Sequence, residues 1–202
     1  MPHSTSKLDP RVLRSKSALR TGLLQLMTQQ PFHAITITEI AQQAGYNRGT
    51  FYANYGTKEE LLNDTIEDKI QDLLHAFRAP YEKVDVLYPQ ELHAHSVMIF
   101  DHIAQNADFY TVLTRSEVLP TLREKILVSL KQIIMEDLRC ESCETQVIDT
   151  ELMVIYSLHA LLGLIFHWIE SGFIHSPLYM QEQLVRILHQ QSSVKLAVKT
   201  KH

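Results

Sequence analysis

Residues 36–58 read TITEIAQQAGYNRGTFYANYGTK, and this stretch decides the fold. Thr36 with Glu39 three residues later forms a capping box, in which each side chain satisfies a backbone N–H of the other that a helix start leaves unpaired. Ile37, Ile40, Ala41 and Ala44 repeat at helical spacing and share one face. Ala41 is small where a second helix must cross, and Gly45 can take the left-handed conformation that ends the first helix. Asn47 then caps a second short helix over 48–55, with Phe51 turned into the angle between the two. Arg48, Thr50, Tyr52 and Asn54 stay outside, with groups suited to phosphates and base edges. Two short helices joined by a Gly turn predict a helix-turn-helix DNA reader.

On the N-terminal side, Asp9-Pro10 predicts a helix start, and Val12, Leu19, Leu23, Leu26 and Met27 continue it at helical spacing until Pro31. On the C-terminal side, Thr57 and Glu60 make a second capping box. It opens a long helix through Leu62, Ile66, Ile70, Leu73 and Phe77 that stops near Pro80 and links the reader to the rest of the chain. A loop over 80–89 precedes helices near 90–105, 108–115 and 118–139, the third with Leu119, Leu122, Ile126, Leu130 and Ile133 on one stripe. Residues 140–145 form a polar connection, and a long helix runs from Glu144 to Ser171, ended by Gly172. Ser176-Pro177 caps a last helix with Leu178, Leu184, Val185 and Leu188 inward.

These patterns predict an all-α protein of about nine helices. The expected division is a DNA-binding domain over 9–56, a regulatory and dimerisation domain over 57–192 that begins with the linking helix 57–79, and a disordered tail over 193–202. A length of 202 residues with 45% apolar content suffices for one reader and one helical core. The net charge is −4, but residues 1–58 hold seven basic side chains against two acidic ones, a basic module suited to touching DNA at one end. No apolar run follows Met1, so the expected compartment is the cytoplasm. The apolar stretch 152–169 approaches the length of a membrane span, but Ser157, His159 and His167 interrupt it and Glu151 and Glu170 bound it. No membrane partner is expected; such a helix is buried on several sides, one of them against another subunit.

Residues 10–70 resemble the N-terminal domain of the TetR family of bacterial transcriptional regulators. The resemblance is carried by Phe32 and Thr36, then Ile40-Ala41, Ala44-Gly45, Arg48-Gly49-Thr50-Phe51-Tyr52 and Lys58-Glu59-Glu60-Leu61. The chain departs from the family at Asn54-Tyr55, where His-Phe is common, and at Asn47, commonly Ser. The resemblance implies a homodimer in which the last two long helices pair with their copies as a four-helix bundle, with Leu161, Gly163, Ile165, Trp168, Leu184 and Leu188 at the interface. It also implies two recognition helices on a palindromic double-stranded operator, about 34–36 Å apart. Arg48 is expected on a base edge or a phosphate, Thr50 on a base edge, and Thr36, Tyr52, Asn54 and Lys58 on phosphates, with Thr38 and Asn47 completing the DNA-binding set.

The resemblance further implies a small-molecule effector of unknown identity that releases a repressor from DNA. Phe100, His102, Phe109, Met153, Tyr156 and His159 are the expected pocket, an apolar cavity with few polar groups. The segment with Gly163, Trp168, Ile169 and Ser176-Pro177 is similar to a regulator subgroup that includes activators of dihydroxyacetone kinase operons, so a coactivator or partner-binding adaptor of the same fold is the alternative.

Other chemistry has thinner support. Cys140 and Cys143 form a CxxC, which can be a thiol switch or half a zinc site, but no second CxxC completes it. Histidines 93, 95, 102, 159 and 167 fall in the second domain, with His95 and His102 expected on one helix face and His159 and His167 on another. No metal site and no cofactor is expected, and a metal or thiol sensor ranks below the regulator. Nucleophile elbow, P-loop, dinucleotide and HExxH strings are all missing, so an enzyme is disfavoured.

Overall fold

The computed structural model describes residues 9–82, 84, 86–87, 91–140, 149–191 and 196–198. Among them are nine α-helices, as the all-α reading expects, together with three strands of two or three residues. The chain divides into two compact units, Met1–Asp68 and Lys69–His202. The division lies inside a helix and not at 56/57, because the first turns of that helix are tied to the N-terminal helix by ion pairs.

Unit one holds α1 (Pro10–Met27), a 3-10 turn (Phe32–Ala34), α2 (Ile37–Gln43), α3 (Arg48–Asn54) and the first turns of α4 (Lys58–Arg78). Its helix starts are those the cap residues predict. The Asp9 carboxylate accepts from the Arg11 N–H at 2.8 Å, and Asn47 Oδ1 accepts from the Thr50 N–H at 2.9 Å. At Thr36 the capping box is complete, since the Glu39 N–H donates to Oγ1 at 3.2 Å and the Thr36 N–H donates to Glu39 Oε2 at 2.8 Å. Each such cap contributes about 1 kcal/mol. At α4 the box is displaced by one residue: Thr57 Oγ1 accepts from the Glu60 N–H, but Glu60 reaches back to the N–H of Gly56.

The turn between α2 and α3 has a definite hydrogen-bond pattern. Gly45 sits at φ +75°, its N–H bonds to the Gln42 carbonyl, and the Tyr46 N–H bonds to the Ala41 carbonyl at 2.8 Å. This pattern satisfies two carbonyls at the helix end, and it needs a residue that tolerates positive φ. Leu19, Leu23, Ile35, Ile40, Phe51, Leu61 and Ile66 form the core, each at most 1% exposed. Close helix crossing depends on Gly22 as much as on Ala41. A Cβ on Gly22 would lie 3.2 Å from the Ala44 nitrogen and 3.3 Å from the Ile40 carbonyl oxygen.

Unit two continues α4 and adds a 3-10 turn (Ala94–Ser96), α5 (Ile99–Gln105), α6 (Ala107–Thr114), α7 (Leu119–Asp137), α8 (Thr150–Glu170) and α9 (Pro177–Gln191). The helix expected from residue 90 begins at 99. Residues 91–98 have no apolar repeat and instead close the 3-10 turn, whose Ser96 N–H and Oγ both donate to the His93 carbonyl. His95 therefore lies off α5 and shares no helix face with His102. Among the described residues α8 starts at Thr150, capped by the Asp149 carboxylate, which accepts from the Leu152 N–H at 3.1 Å; residues 144–148 of the expected helix lie outside the described residues.

At its other end Gly172 takes φ +74° and the Phe173 N–H returns to the Trp168 carbonyl, closing α8 as α2 is closed. Phe173 itself sits at φ +59°, held by its ring against Trp168 with centroids 4.9 Å apart. The core of unit two runs through Leu73, Phe100, Ile103, Leu113, Leu122, Leu130, Leu158 and Trp168, all at most 2% exposed. On α9 the inward side chains include Met180, Gln181 and Val185, whereas Leu178 is 53% exposed and Leu184 and Leu188 are half-buried.

Three short strands complete unit two: β1 (Val86–Leu87), β2 (Leu138–Cys140) and β3 (Leu196–Val198). Their order is β1-β3-β2, both pairings antiparallel, with Ala197 opposite Val86 on one side and Arg139 on the other. Part of the tail expected to be disordered is thus the middle strand of a ribbon. Period-two alternation is not readable over three residues, so the sequence carried no signal for it.

Candidate nucleic-acid interface

The helix-turn-helix is positioned by ion pairs between α1 and α4. Arg20 donates to Asp64 through Nε at 3.1 Å and Nη2 at 2.8 Å, and its Nη1 lies 2.8 Å from Asp68. Tyr55, at the end of α3, donates its hydroxyl to the same Asp64 oxygen, and Lys16 approaches that carboxylate at 3.9 Å. Burial alone would raise the Asp64 carboxyl; the hydrogen bonds from Tyr55 and Arg20 outweigh it and hold it below the ordinary carboxylate range. Burial likewise pushes the Tyr55 phenol up, and the neighbouring Asp64 adds to the rise.

These contacts change the meaning of the charge count. Unit one includes Glu59, Glu60, Asp64, Glu67 and Asp68, so its seven basic side chains are matched by seven acidic ones. Arg20 neutralises carboxylates of α4 and is not part of a basic face.

Two expected phosphate contacts are withdrawn into the protein. Lys58 Nζ donates to the carbonyls of Phe32 at 2.9 Å, His33 at 2.8 Å and Ile35 at 2.8 Å, and it lies 4.9 Å from the Phe32 ring centroid. An ammonium has three donors, so none remains for DNA. Asn54 Nδ2 donates to the Thr50 carbonyl at 2.7 Å and to Ser15 Oγ at 3.2 Å, which ties α3 to α1. Thr36 is exposed, but its hydroxyl donates to Glu39 Oε2 at 2.7 Å and belongs to the cap. That cap holds the Glu39 carboxyl below its ordinary range, through the hydrogen bonds from Thr36.

What α3 leaves outside is Arg48, Gly49, Tyr52 and Ala53, with Thr50 half-exposed. Arg48 Nη2 donates to the Tyr52 hydroxyl at 3.2 Å, and the guanidinium stands 5.7 Å from the Tyr52 ring centroid, a cation–π contact. Thr50 Oγ1 lies 3.3 Å from Asn47 Oδ1, and Thr38 is half-buried on α2. Arg11, Arg14 and Tyr46 are also exposed on unit one. Arg11 and Arg14 belong to the seven basic side chains counted in the sequence; Tyr46 was passed over, although it follows the Gly45 turn directly.

In unit two the six expected pocket residues do not converge. Phe100, Phe109 and His102 are core side chains at 0%, 5% and 8% exposure, Met153 is half-buried, Tyr156 is 65% exposed, and His159 is exposed. Helix rotation separates them: Tyr156 and His159 lie on the side of α8 away from Val154, Leu158 and Ile165. His102 Nε2 instead meets the Tyr110 hydroxyl at 2.9 Å inside the core. Burial lowers the His102 pKa, and burial raises that of Tyr110.

The expected interface residues also divide. Ile165 and Trp168 are buried within the chain at 2% and 1% exposure, and Trp168 Nε1 donates to the His175 carbonyl at 2.9 Å. Leu161, Leu184 and Leu188 are half-buried, and Gly163 is exposed with open space where a side chain would stand. Around Gly163 a groove of about 340 Å³ is lined by His159, Leu162, Phe166 and His167 of α8 and by Arg123 and Leu127 of α7. Among the described residues no three His, Cys, Asp or Glu side chains converge on a metal position. Cys143 and the Cys140 side chain lie outside the described residues, and with them the thiol reading.

Comparison with known proteins bears on both units. Residues 20–65 match the family model of bacterial regulatory proteins, tetR family, and residues 90–190 match that of the transcriptional regulator C-terminal region. An uncharacterized HTH-type transcriptional regulator of Bacillus subtilis, YxbF, is 21% identical over 186 residues, which cover 90% of this chain and 46% of that protein. The chain therefore spans about half the length of this curated relative. Among solved structures, the fatty acid degradation regulator FadR from Bacillus halodurans aligns with TM-score 0.64 at 17% identity, covering 91% of this chain and 96% of that one. A TetR transcriptional regulator from Streptococcus agalactiae gives 0.59 at 20% identity over 88% and 95% of the two chains. The dihydroxyacetone kinase operon activator DhaS gives 0.59 at 18% over 88% and 95%. At such identities the structural likeness speaks to fold.

Proposed function

The chain belongs to the TetR family of bacterial regulatory proteins, and on that footing we propose that it is a DNA-binding transcriptional regulator acting as a homodimer on a palindromic operator. The observation that carries this reading is the α2–α3 pair: a Gly-closed turn, a fully buried Phe51 behind it, and an outward α3 face with an exposed cation and no acidic side chain.

Dimerisation is supported by the outer faces of α8 and α9. Thr150–Glu170 is long and apolar enough to cross a membrane by length and composition, yet it packs on α6 and α7 and buries Val154, Leu158, Leu162 and Ile165. Its other side exposes Leu152 at 64% and Tyr156 at 65%, and α9 exposes Leu178 at 53% and Ile187 at 37%. Apolar area of this kind marks an interaction surface, and a second copy covers it in this reading.

A small-molecule effector bound by unit two completes the proposal as the signal that releases a repressor. Such a ligand acts only if it favours one conformation over another, since equal affinity for both shifts nothing. Gel shifts with DNA flanking the gene, light scattering of the free protein, and a reporter under that DNA test the three parts. Absence of any sequence-specific shift at moderate salt defeats the regulator reading, a monomeric mass defeats the dimer, and reporter output that rises with the protein assigns activation in place of repression.

A further inference from the structure

The outward face of α3 has an unusual layout. Gly49 and Ala53 lie two residues before and two after the buried Phe51, about 160° around the helix from it. The ridge pointing away from the core is therefore nearly bare backbone, and it can approach a groove floor more closely than a helix with long side chains there. Arg48 and Tyr52 occupy one flank of this ridge, one helical turn apart, while Thr50 lies on the other. The guanidinium is held on that flank by the Tyr52 hydroxyl at 3.2 Å and by the ring beneath it. Its other N–H groups have no partner among the described residues, and the competing cations Arg20 and Lys58 are engaged inside unit one.

We infer that Arg48 reads a guanine in each half-site, with Tyr52 as its positioning residue, and does not serve as a phosphate contact. This rests on the DNA-reader proposal above. The guanidinium fork matches the O6 and N7 acceptors of guanine in the major groove, the commonest specific contact of an arginine with a base. Arg48 is the first residue of α3, and the N-terminal residues of a recognition helix are the ones that meet base edges, whereas phosphates line the groove rims. The hydrogen bond and the cation–π contact with Tyr52 hold the guanidinium on this flank before DNA arrives, which reduces the ordering cost of a bidentate contact. Neither residue is in the core, so replacing them leaves the fold intact.

The experiment selects binding sites from random duplex DNA with the full chain, then repeats the selection with Arg48→Ala, Tyr52→Phe and Tyr52→Ala, using circular dichroism to verify folding. The wild-type motif should contain an invariant guanine in each half. Arg48→Ala should lose the preference at that base pair alone, by about 5- to 150-fold, and 7-deazaguanine at that position should weaken the wild type but not Arg48→Ala. Tyr52→Ala should lose part of the same preference, and Tyr52→Phe less. A wild-type motif without guanine overturns the inference. So does an Arg48→Ala motif unchanged in sequence, with uniformly weaker binding and a salt slope reduced by about one, since that is a phosphate contact. A wild type that enriches no motif defeats the DNA-reader proposal, and the inference falls with it.

Discussion

The two units leave opposite kinds of surface. Unit one folds its cations and carboxylates onto each other, Arg20 and Lys16 on Asp64 and Asp68, Lys58 on three carbonyls, so little charge is left over apart from the α3 face and the start of α1. Unit two buries a few polar pairs, as at His102–Tyr110 and at Gln181, whose Nε2 donates to Asp101 at 2.6 Å, and turns apolar side chains of α8 and α9 outward. A unit that satisfies its own charges is complete as a monomer. One that exposes Leu152, Tyr156 and Leu178 leaves apolar area that a second copy covers in the proposed dimer.

The strongest way to break this comparison is to charge the exposed apolar face. Leu152→Glu with Tyr156→Glu should weaken self-association at least about 100-fold, converting a dimer to monomer by light scattering. An unchanged mass would mean that α8 is covered by something else.

Next comes Gly22→Val, which places a branched side chain against the backbone of Ile40 and Ala44. Overpacking of this kind costs about 1–3 kcal/mol. Amide exchange over 19–45 should accelerate and DNA binding should fall, with exchange over 150–190 unaffected. Equal acceleration in both would show that the units do not unfold separately.

Lys58→Met removes three charge-assisted hydrogen bonds and should cost about 1–2 kcal/mol of reader stability. The salt dependence of DNA binding should keep its slope, because no phosphate contact is lost. A slope smaller by about 0.9 would return Lys58 to the DNA interface.

The smallest effect is a difference in acid response. His102 has a folded pKa below its unfolded value of about 6.5. Its contribution is present above that pH and is lost as pH falls toward the folded value, because the unfolded chain binds the proton first. Asp64 is depressed from about 4, so its contribution lasts until much stronger acid. Unit two should soften first between pH 7 and 5, and His102→Asn should flatten that slope. Thermal melts across this range, followed by near-ultraviolet signal from Trp168 in unit two, would read it.

Legibility in the sequence followed the distance between partners. Asp9, Thr36, Asn47 and Gly45 announce helix ends because each acts on backbone within a few residues, so the helix-turn-helix boundaries could be read directly. Lys58 and Asn54 could not, since their partners lie 23 or more residues away for the lysine and 39 for the Ser15 contact. The charge count misled for the same reason: a cut at residue 58 excluded the carboxylates that answer Arg20. Pocket and interface residues followed from the resemblance and from side-chain type, but their exposure depends on which side of α8 meets α7, and Tyr156 and Trp168 fall on opposite sides of that choice. The close approach at Gly22 was hidden in an ordinary helical repeat.

The ribbon in unit two sets an order of events during synthesis. Its middle strand, Leu196–Val198, is translated 110 residues after Val86, with which Ala197 pairs in register opposite. Unit one comprises residues 1–68, so the reader can fold while most of unit two has yet to be translated. At about 5–20 residues per second, β1 and β2 then wait several seconds or more for the strand that joins them. A nascent chain arrested before residue 196 should therefore display a folded reader attached to a unit two with two unpaired strand edges, open to chaperones or to a second chain.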